Sequence, residues 1–232
     1  MNLRLAGIKS YFNTRLGPFL TVVVITVGQV FIANAVGFIG GGFVWLLPLI
    51  TAVLLLLSIF AYPEAHDALT KGARVLSITG IAWLSLVNVA CMAWFISDML
   101  NPQTVTVAHE LLMAGAALWI VNVGIFALAY WELDAGGPEM RSLGRPSIFK
   151  GGEKETYPDF VFPQQEDSDG HLAPKDWIPG FTDYLYTSIS TATSFAPAAA
   201  TPYSRMSKIM VGLETLISFV TIGLIIARAI SL

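Results

Sequence analysis

Hydrophobic positions along this chain come in long unbroken blocks rather than in alternation, and short polar or glycine-rich connections separate them. A helix needs about twenty apolar residues to cross a bilayer. Segments 18–39, 42–62, 76–99, 107–131 and 206–230 meet that length, which predicts five spans. Continuous rather than period-two hydrophobicity points to helices and away from a transmembrane barrel. Trp45, Trp94 and Trp131 fall near segment ends, where interfacial aromatics belong. Gly40-Gly41-Gly42 predicts a tight turn between the first two spans. Residues 63–74 form a short charged connection and 97–106 a nearly uncharged one. The first block has a basic start (Arg4, Lys9, Arg15) and ends in Ala33-Asn34-Ala35, as a signal peptide does. It is read here as a retained spanning helix.

The pattern changes after the fourth block. Residues 132–181 carry Gly136-Gly137-Pro138, further prolines and the acidic cluster Glu166-Asp167-Ser168-Asp169, with no sustained period. An extended aqueous loop with local turns is expected there. Beyond it, Thr182 or Asp183 is a suitable N-cap for a helix over 184–194. Its small and hydroxyl-bearing residues (Thr187, Ser188, Ser190, Thr191, Thr193, Ser194) suit close helix packing. That helix is too short to span, and Pro197 and Pro202 stop it from continuing. A half-length segment at membrane depth must be buried in protein or line water. The alternative is an amphipathic helix lying among the headgroups.

Composition narrows the classes. The chain is 55% hydrophobic and 12% charged, with a mean hydropathy of +0.66. That much apolar surface needs the bilayer as solvent. A formal charge of −3 does not suggest a nucleic-acid partner. Cys91 is the single cysteine, within an apolar run, and is expected to pack at lipid depth. His66, His109 and His171 are scattered, so neither a metal nor a cofactor is expected. Glu64-Ala65-His66-Asp67 and His109-Glu110 bring acid and imidazole together without zinc spacing or a nucleophile, so no enzyme is expected.

One stretch carries a family resemblance. Leu185-Tyr186-Thr187-Ser188, Thr191-Ala192-Thr193-Ser194, Pro202, Arg205, Leu213-Glu214 and Ala227-Arg228 follow in step. Together they resemble the pore loop and inner helix of the bacterial potassium-channel superfamily. Trp131-Glu132-Leu133-Asp134-Ala135-Gly136-Gly137-Pro138 also resembles a group of uncharacterised bacterial membrane proteins that share this ending. The resemblance covers the last fifth of the chain. It implies a homotetramer around a pore, with monovalent cations and membrane lipid as partners. The filter-like loop would be Thr191, Thr193, Ser194, Phe195, Ala196, Pro197 and Ala198.

That loop departs from the family where selectivity is made. In place of Val-Gly-Tyr-Gly-Asp stands Phe195-Ala196-Pro197-Ala198-Ala199. Filter carbonyls replace an ion's hydration shell, and the glycines allow backbone angles that a Cβ makes costly. Alanine replaces both glycines and Pro197 fixes φ between them, so potassium selectivity does not carry over. Hydroxyls followed by an apolar, proline-stiffened rim remain. Such a site passes hydrated cations weakly, gates by dewetting, or conducts nothing.

Glu214 lies inside the last apolar block, where a carboxylate needs water or a partner. It is either a cavity-lining charge or brace behind the pore helix, or a protonated packing residue. Gln29, Asn34, Asn88 and Asn122 are read as interhelical glue.

Charge counting sets an orientation. Arg4, Lys9 and Arg15, then Lys71 and Arg74, mark the N-terminus and the second connection as cytoplasmic. Five spans then put the long loop on the same face, whereas potassium channels carry their filter on the outer face. The expected fold is an all-α membrane protein of the bacterial inner membrane, with five transmembrane helices and a re-entrant pore helix. Residues 1–100 would form a three-helix layer and 101–232 a pore-like module. The module comprises an outer helix 107–131, the loop 132–181, a pore helix and filter-like loop 182–202 and an inner helix 206–230. The expected function is a cation pathway with weak or no potassium selectivity. The alternatives are a non-conducting scaffold or accessory subunit that keeps a channel fold, and a small-solute transporter.

Overall fold

Backbone polar groups cannot be left open in hydrocarbon, so apolar blocks of this length satisfy them within their own helices. The computed structural model describes residues 2–35, 49–50, 53, 67–100, 108–142, 158–166, 173–174, 177–193 and 200–230. Among the described residues the long helices are α1 (Asn2–Ala35), α2 (Asp67–Leu100), α3 (Ala108–Leu133) and α7 (Arg205–Ile230). Each carries a stretch long and apolar enough to cross a membrane, which for α3 extends into the turn that follows it: Arg15–Asn34, Arg74–Met99, Leu112–Gly136 and Arg205–Ala227. The expected span 42–62 lies outside the described residues, apart from 49, 50 and 53, which are helical.

Helix α3 is the centre. It packs against α1, α2, α7 and the half-length helix α6 (Phe181–Thr193), so the N-terminal and C-terminal parts share one core. Polar and apolar sides are reversed relative to a water-soluble protein. On α7, Ser207, Glu214, Ser218 and Thr221 are buried, while Leu216 and Phe219 are 60% and 71% exposed. Lipid tails are as apolar as leucine, so packing and interhelical hydrogen bonds hold such helices together. Asn88 Nδ2 donates to Asn122 Oδ1 (3.4 Å), Asn122 Nδ2 to Ser218 Oγ (3.1 Å), and Gln29 Nε2 to the Leu84 carbonyl (3.2 Å). These three residues are therefore interhelical contacts in the structure, while Asn34 is exposed.

Two expectations, one about the chain after α3 and one about the end of α3 itself, need correction. The segment 132–181 is not an extended aqueous loop where it is described. It continues from α3 into a 3-10 turn (Asp134–Gly136), then α4 (Pro138–Ser142), β1 (Phe160–Val161) and α5 (Pro163–Glu166). Phe160 and Phe162 are buried in the same core as Tyr130 and Tyr184. Phe162 and Tyr184 meet edge-on with ring centroids 5.3 Å apart, and the Tyr130 and Phe160 rings are tilted against each other at 4.8 Å. Sequence periodicity missed this because single aromatics in irregular chain carry no period. Trp131 is likewise not an interfacial anchor. It is 3% exposed, with its ring 6.0 Å from that of Phe181, whereas Trp94 keeps an outward position at 47% exposure.

The turn itself needs positive φ at three consecutive residues, Ala135 (49°), Gly136 (84°) and Gly137 (99°). Glycine supplies two of them without a Cβ clash. The result folds α4 back so that Arg141 caps α3. Its guanidinium donates to the carbonyls of Asp134 (2.5 Å) and Trp131 (2.7 Å).

Candidate functional site

Helix α6 is amphipathic, and its buried side carries Tyr184, Thr187, Ser188 and Thr191. Its start differs in detail from expectation. Gly180 rather than Thr182 or Asp183 precedes the first helical residue. Asp183 sits inside the first turn, and its Oδ2 accepts from the Gly180 N–H at 2.8 Å. This is the returning half of a capping box, so Asp183 still satisfies the helix start. Thr182 is exposed.

The helix begins beside Trp131, at the end of α3, and runs back along it. Ser188 Oγ donates to the Val123 carbonyl at 2.8 Å, near the middle of the α3 apolar stretch. With 13 residues, α6 is about 20 Å long, short of the ~30 Å hydrocarbon core. The chain is back near the end of α3 by β2 (Thr201–Pro202), which pairs antiparallel with β1 through Phe160↔Pro202 and Val161↔Thr201. Tyr203 N–H extends the tie to the Asp159 carbonyl (2.8 Å).

Two buried acids hold this arrangement. Asp134, 1% exposed, accepts from the backbone N–H groups of Asp159 (2.8 Å) and Phe160 (3.0 Å) on Oδ1 and from the Tyr184 hydroxyl on Oδ2. One carboxylate thus joins α3, β1 and α6. Burial pushes the Tyr184 hydroxyl above its ordinary range, so it stays a donor, and the Arg141 guanidinium lies 4.9 Å from its ring. Glu214, fully buried, receives the Tyr130 hydroxyl on Oε2 and contacts the Ser188 hydroxyl through Oε1. It joins α7 to α3 and α6. Nearby, Ser77 bonds Glu132, and Arg74, Arg15 and Arg141 are the cations around that carboxyl. Arg15 also lies 6.0 Å from the Trp131 ring. The starts of the α1 and α2 spans and the end of α3 are therefore at one end of the bundle.

Of the expected filter-like residues, the structure places two. Thr191 is buried, and Thr193 Oγ1 lies within hydrogen-bond distance of the carbonyls of Ile189 (3.0 Å) and Ser190 (3.2 Å) in its own helix, either of which can take its one hydrogen. Ser194, Phe195, Ala196, Pro197 and Ala198 lie outside the described residues. His66 and His171 also lie outside them, and His109 and Glu110 are exposed. Among the described residues no three His, Cys, Asp or Glu side chains are placed to hold a metal. An apolar groove of about 330 Å³ behind α6, lined by residues such as Leu20, Val24, Val123 and Leu185, offers an ion almost no polar ligand.

Sequence reasoning singled out Glu214 but missed Asp134, Tyr184, Tyr130 and Arg141 as its counterparts. The signal was present: two carboxylates, Glu132 and Asp134, follow directly on an apolar span, and charges at that depth need partners. No family model, curated protein or solved structure matches the chain. What the four spanning-length helices establish is an α-helical membrane protein.

Proposed function

We propose that this chain is a channel-like membrane protein in which α6 is a re-entrant pore helix. Four copies would place the α6 helices, the 194–199 loops and the α7 helices around a common axis. The observation that carries the reading is the depth of α6. It starts at the end of α3, reaches the Val123 level, and the chain is back beside Phe160 by residue 201. A short helix that goes in and out on one face, buried against α3 and α7, meets the condition for irregular backbone at membrane depth. Its C-terminal carbonyls present the negative end of the helix dipole at mid-membrane depth, which favours a cation there.

The pathway is one of weak or absent potassium selectivity, because Ala196 and Pro197 replace the permissive glycines. Arg15 and Arg74 lie at the end of the bundle where α6 enters. By the positive-inside rule α6 then enters from the cytoplasmic face of the bacterial inner membrane. A second reading, a non-conducting scaffold, is favoured by the outward face of α7. Ile209, Leu213, Leu216 and Phe219 are all exposed and apolar, and a cavity lined by them closes by dewetting.

Native mass spectrometry in lipid nanodiscs tests the assembly, with a tetramer expected. A monomer or dimer rules out a four-fold pore. Ion-replacement recordings on the tetramer then separate the two readings. Small cation currents with similar potassium and sodium permeability support the pathway, and silence in every ion supports the scaffold.

A further inference from the structure

The hydrogens around Glu214 can be counted. Ser188 Oγ lies within hydrogen-bond distance of both the Val123 carbonyl (2.8 Å) and Glu214 Oε1. A hydroxyl has one hydrogen, a carbonyl has none, and an ionised carboxylate only accepts. With Glu214 ionised, Ser188 serves one of its two acceptors. The other contact is then two oxygens facing each other with no hydrogen between them, in a place closed to water. Tyr130 does not relieve this, because its one hydrogen is on the other carboxyl oxygen, Oε2. One assignment gives every contact a hydrogen. The Glu214 proton sits on Oε1 and is donated to Ser188, Ser188 donates to the Val123 carbonyl, and Tyr130 donates to Oε2.

We infer that Glu214 is held as a neutral carboxylic acid whose proton is the link between α7 and α6. Among the described residues, the groups facing it are Ser188 from α6 and Tyr130 from α3, and neither carries a charge. The charged groups of this region, Glu132, Asp134, Arg15, Arg74 and Arg141, act on one another at the end of α3. The clasp is therefore proton-dependent. When the proton leaves, Ser188 keeps a bond to one helix only, and the half-length helix loses its tie to α7. On the channel reading above, on which this consequence rests, the held element is the pore helix, and Glu214 is a positioning residue for it.

Infrared spectroscopy of the protein in lipid at neutral pH tests the proton directly. The difference between wild type and Glu214→Gln is expected to contain a protonated-carboxyl C=O band belonging to wild type. An ionised-carboxylate band in its place overturns the inference. Should Glu214→Gln fail to fold, Ser188→Ala serves instead. Removing the acceptor of the acid proton is expected to shift that band, and a protonated-carboxyl region identical to wild type overturns the assignment. Hydrogen exchange of α6 gives the mechanical readout. As the band disappears with rising pH, exchange in α6, divided by the intrinsic base-catalysed rate at each pH, is expected to rise roughly tenfold, the effect of one lost buried hydrogen bond. Glu214→Gln keeps an N–H donor toward Ser188 and is expected to show no such rise. A rise of equal size in Glu214→Gln refutes the clasp. None of these measurements needs conduction, so a silent protein overturns the channel reading and leaves the clasp standing or falling by itself.

Discussion

Removal of the Asp134 carboxylate is expected to release β1, and with it the strand that brings the chain back from α6. Oδ1 accepts from the buried Phe160 N–H and the partly buried Asp159 N–H. Hydrogen bonds to a charged acceptor contribute about 1.5–3 kcal/mol each. The Phe160 bond counts near the top of that range, because its N–H has no water to replace the lost partner. The Asp159 bond counts near the bottom. Allowing for some rehydration once the strand loosens, roughly 3 kcal/mol is lost at β1 in Asp134→Ala. At 1.4 kcal/mol per tenfold change, opening of β1 becomes about a hundredfold more frequent. Hydrogen exchange of residues 158–166 in nanodiscs reads this, with 208–220 of α7 as the internal control. Tyr184→Phe removes a single bond to Oδ2 and leaves both backbone bonds in place, so its effect at 158–166 stays under about tenfold. Unchanged exchange in Asp134→Ala, or an equal rise in Tyr184→Phe, would refute the assignment of Asp134 as the residue that joins β1 to α3.

Three other outcomes are expected. Gly28 lies against α3 so closely that a Cβ would come 2.5 Å from Val121 Cγ2, so Gly28→Ala lowers thermal stability by about 1–3 kcal/mol, whereas Gly72→Ala, with open space around it, does not. A cysteine at exposed Thr182 is labelled by an impermeant thiol reagent from the same face as an N-terminal tag, with Cys91 buried and silent; labelling from the opposite face contradicts the shared end of α1, α3 and α6. Burial raises Tyr184 above the ordinary tyrosine value of 10.0, so its contribution to stability is complete below about pH 10 and is lost as pH climbs beyond it. In an alkaline titration its phenolate absorbance then appears only together with loss of helicity, and ionisation ahead of unfolding contradicts the burial.

Hydrophobic length by itself determined that this is a helical membrane protein and placed α2, α3 and α7, because the bilayer imposes one length and one way of satisfying the backbone. Local signals, a short amphipathic run and two following prolines, also marked a short helix at 184–194, although α6 begins earlier, at Phe181. Sequence likewise marked Glu214, because a carboxylate in an apolar block is conspicuous wherever it stands. Partnership was another matter. That Glu214 meets Tyr130 and Ser188, that Asp134 collects two backbone N–H groups and Tyr184, and that Arg141 turns back over the end of α3 depend on residues distant in the chain becoming neighbours. Nothing in a linear pattern encodes which of several buried hydroxyls faces which carboxyl. The segment after α3 shows the same limit, since its order comes from Phe160 and Phe162 inserting beside Tyr184. Single side chains carry no periodicity, and only the packed tertiary structure decided where they went.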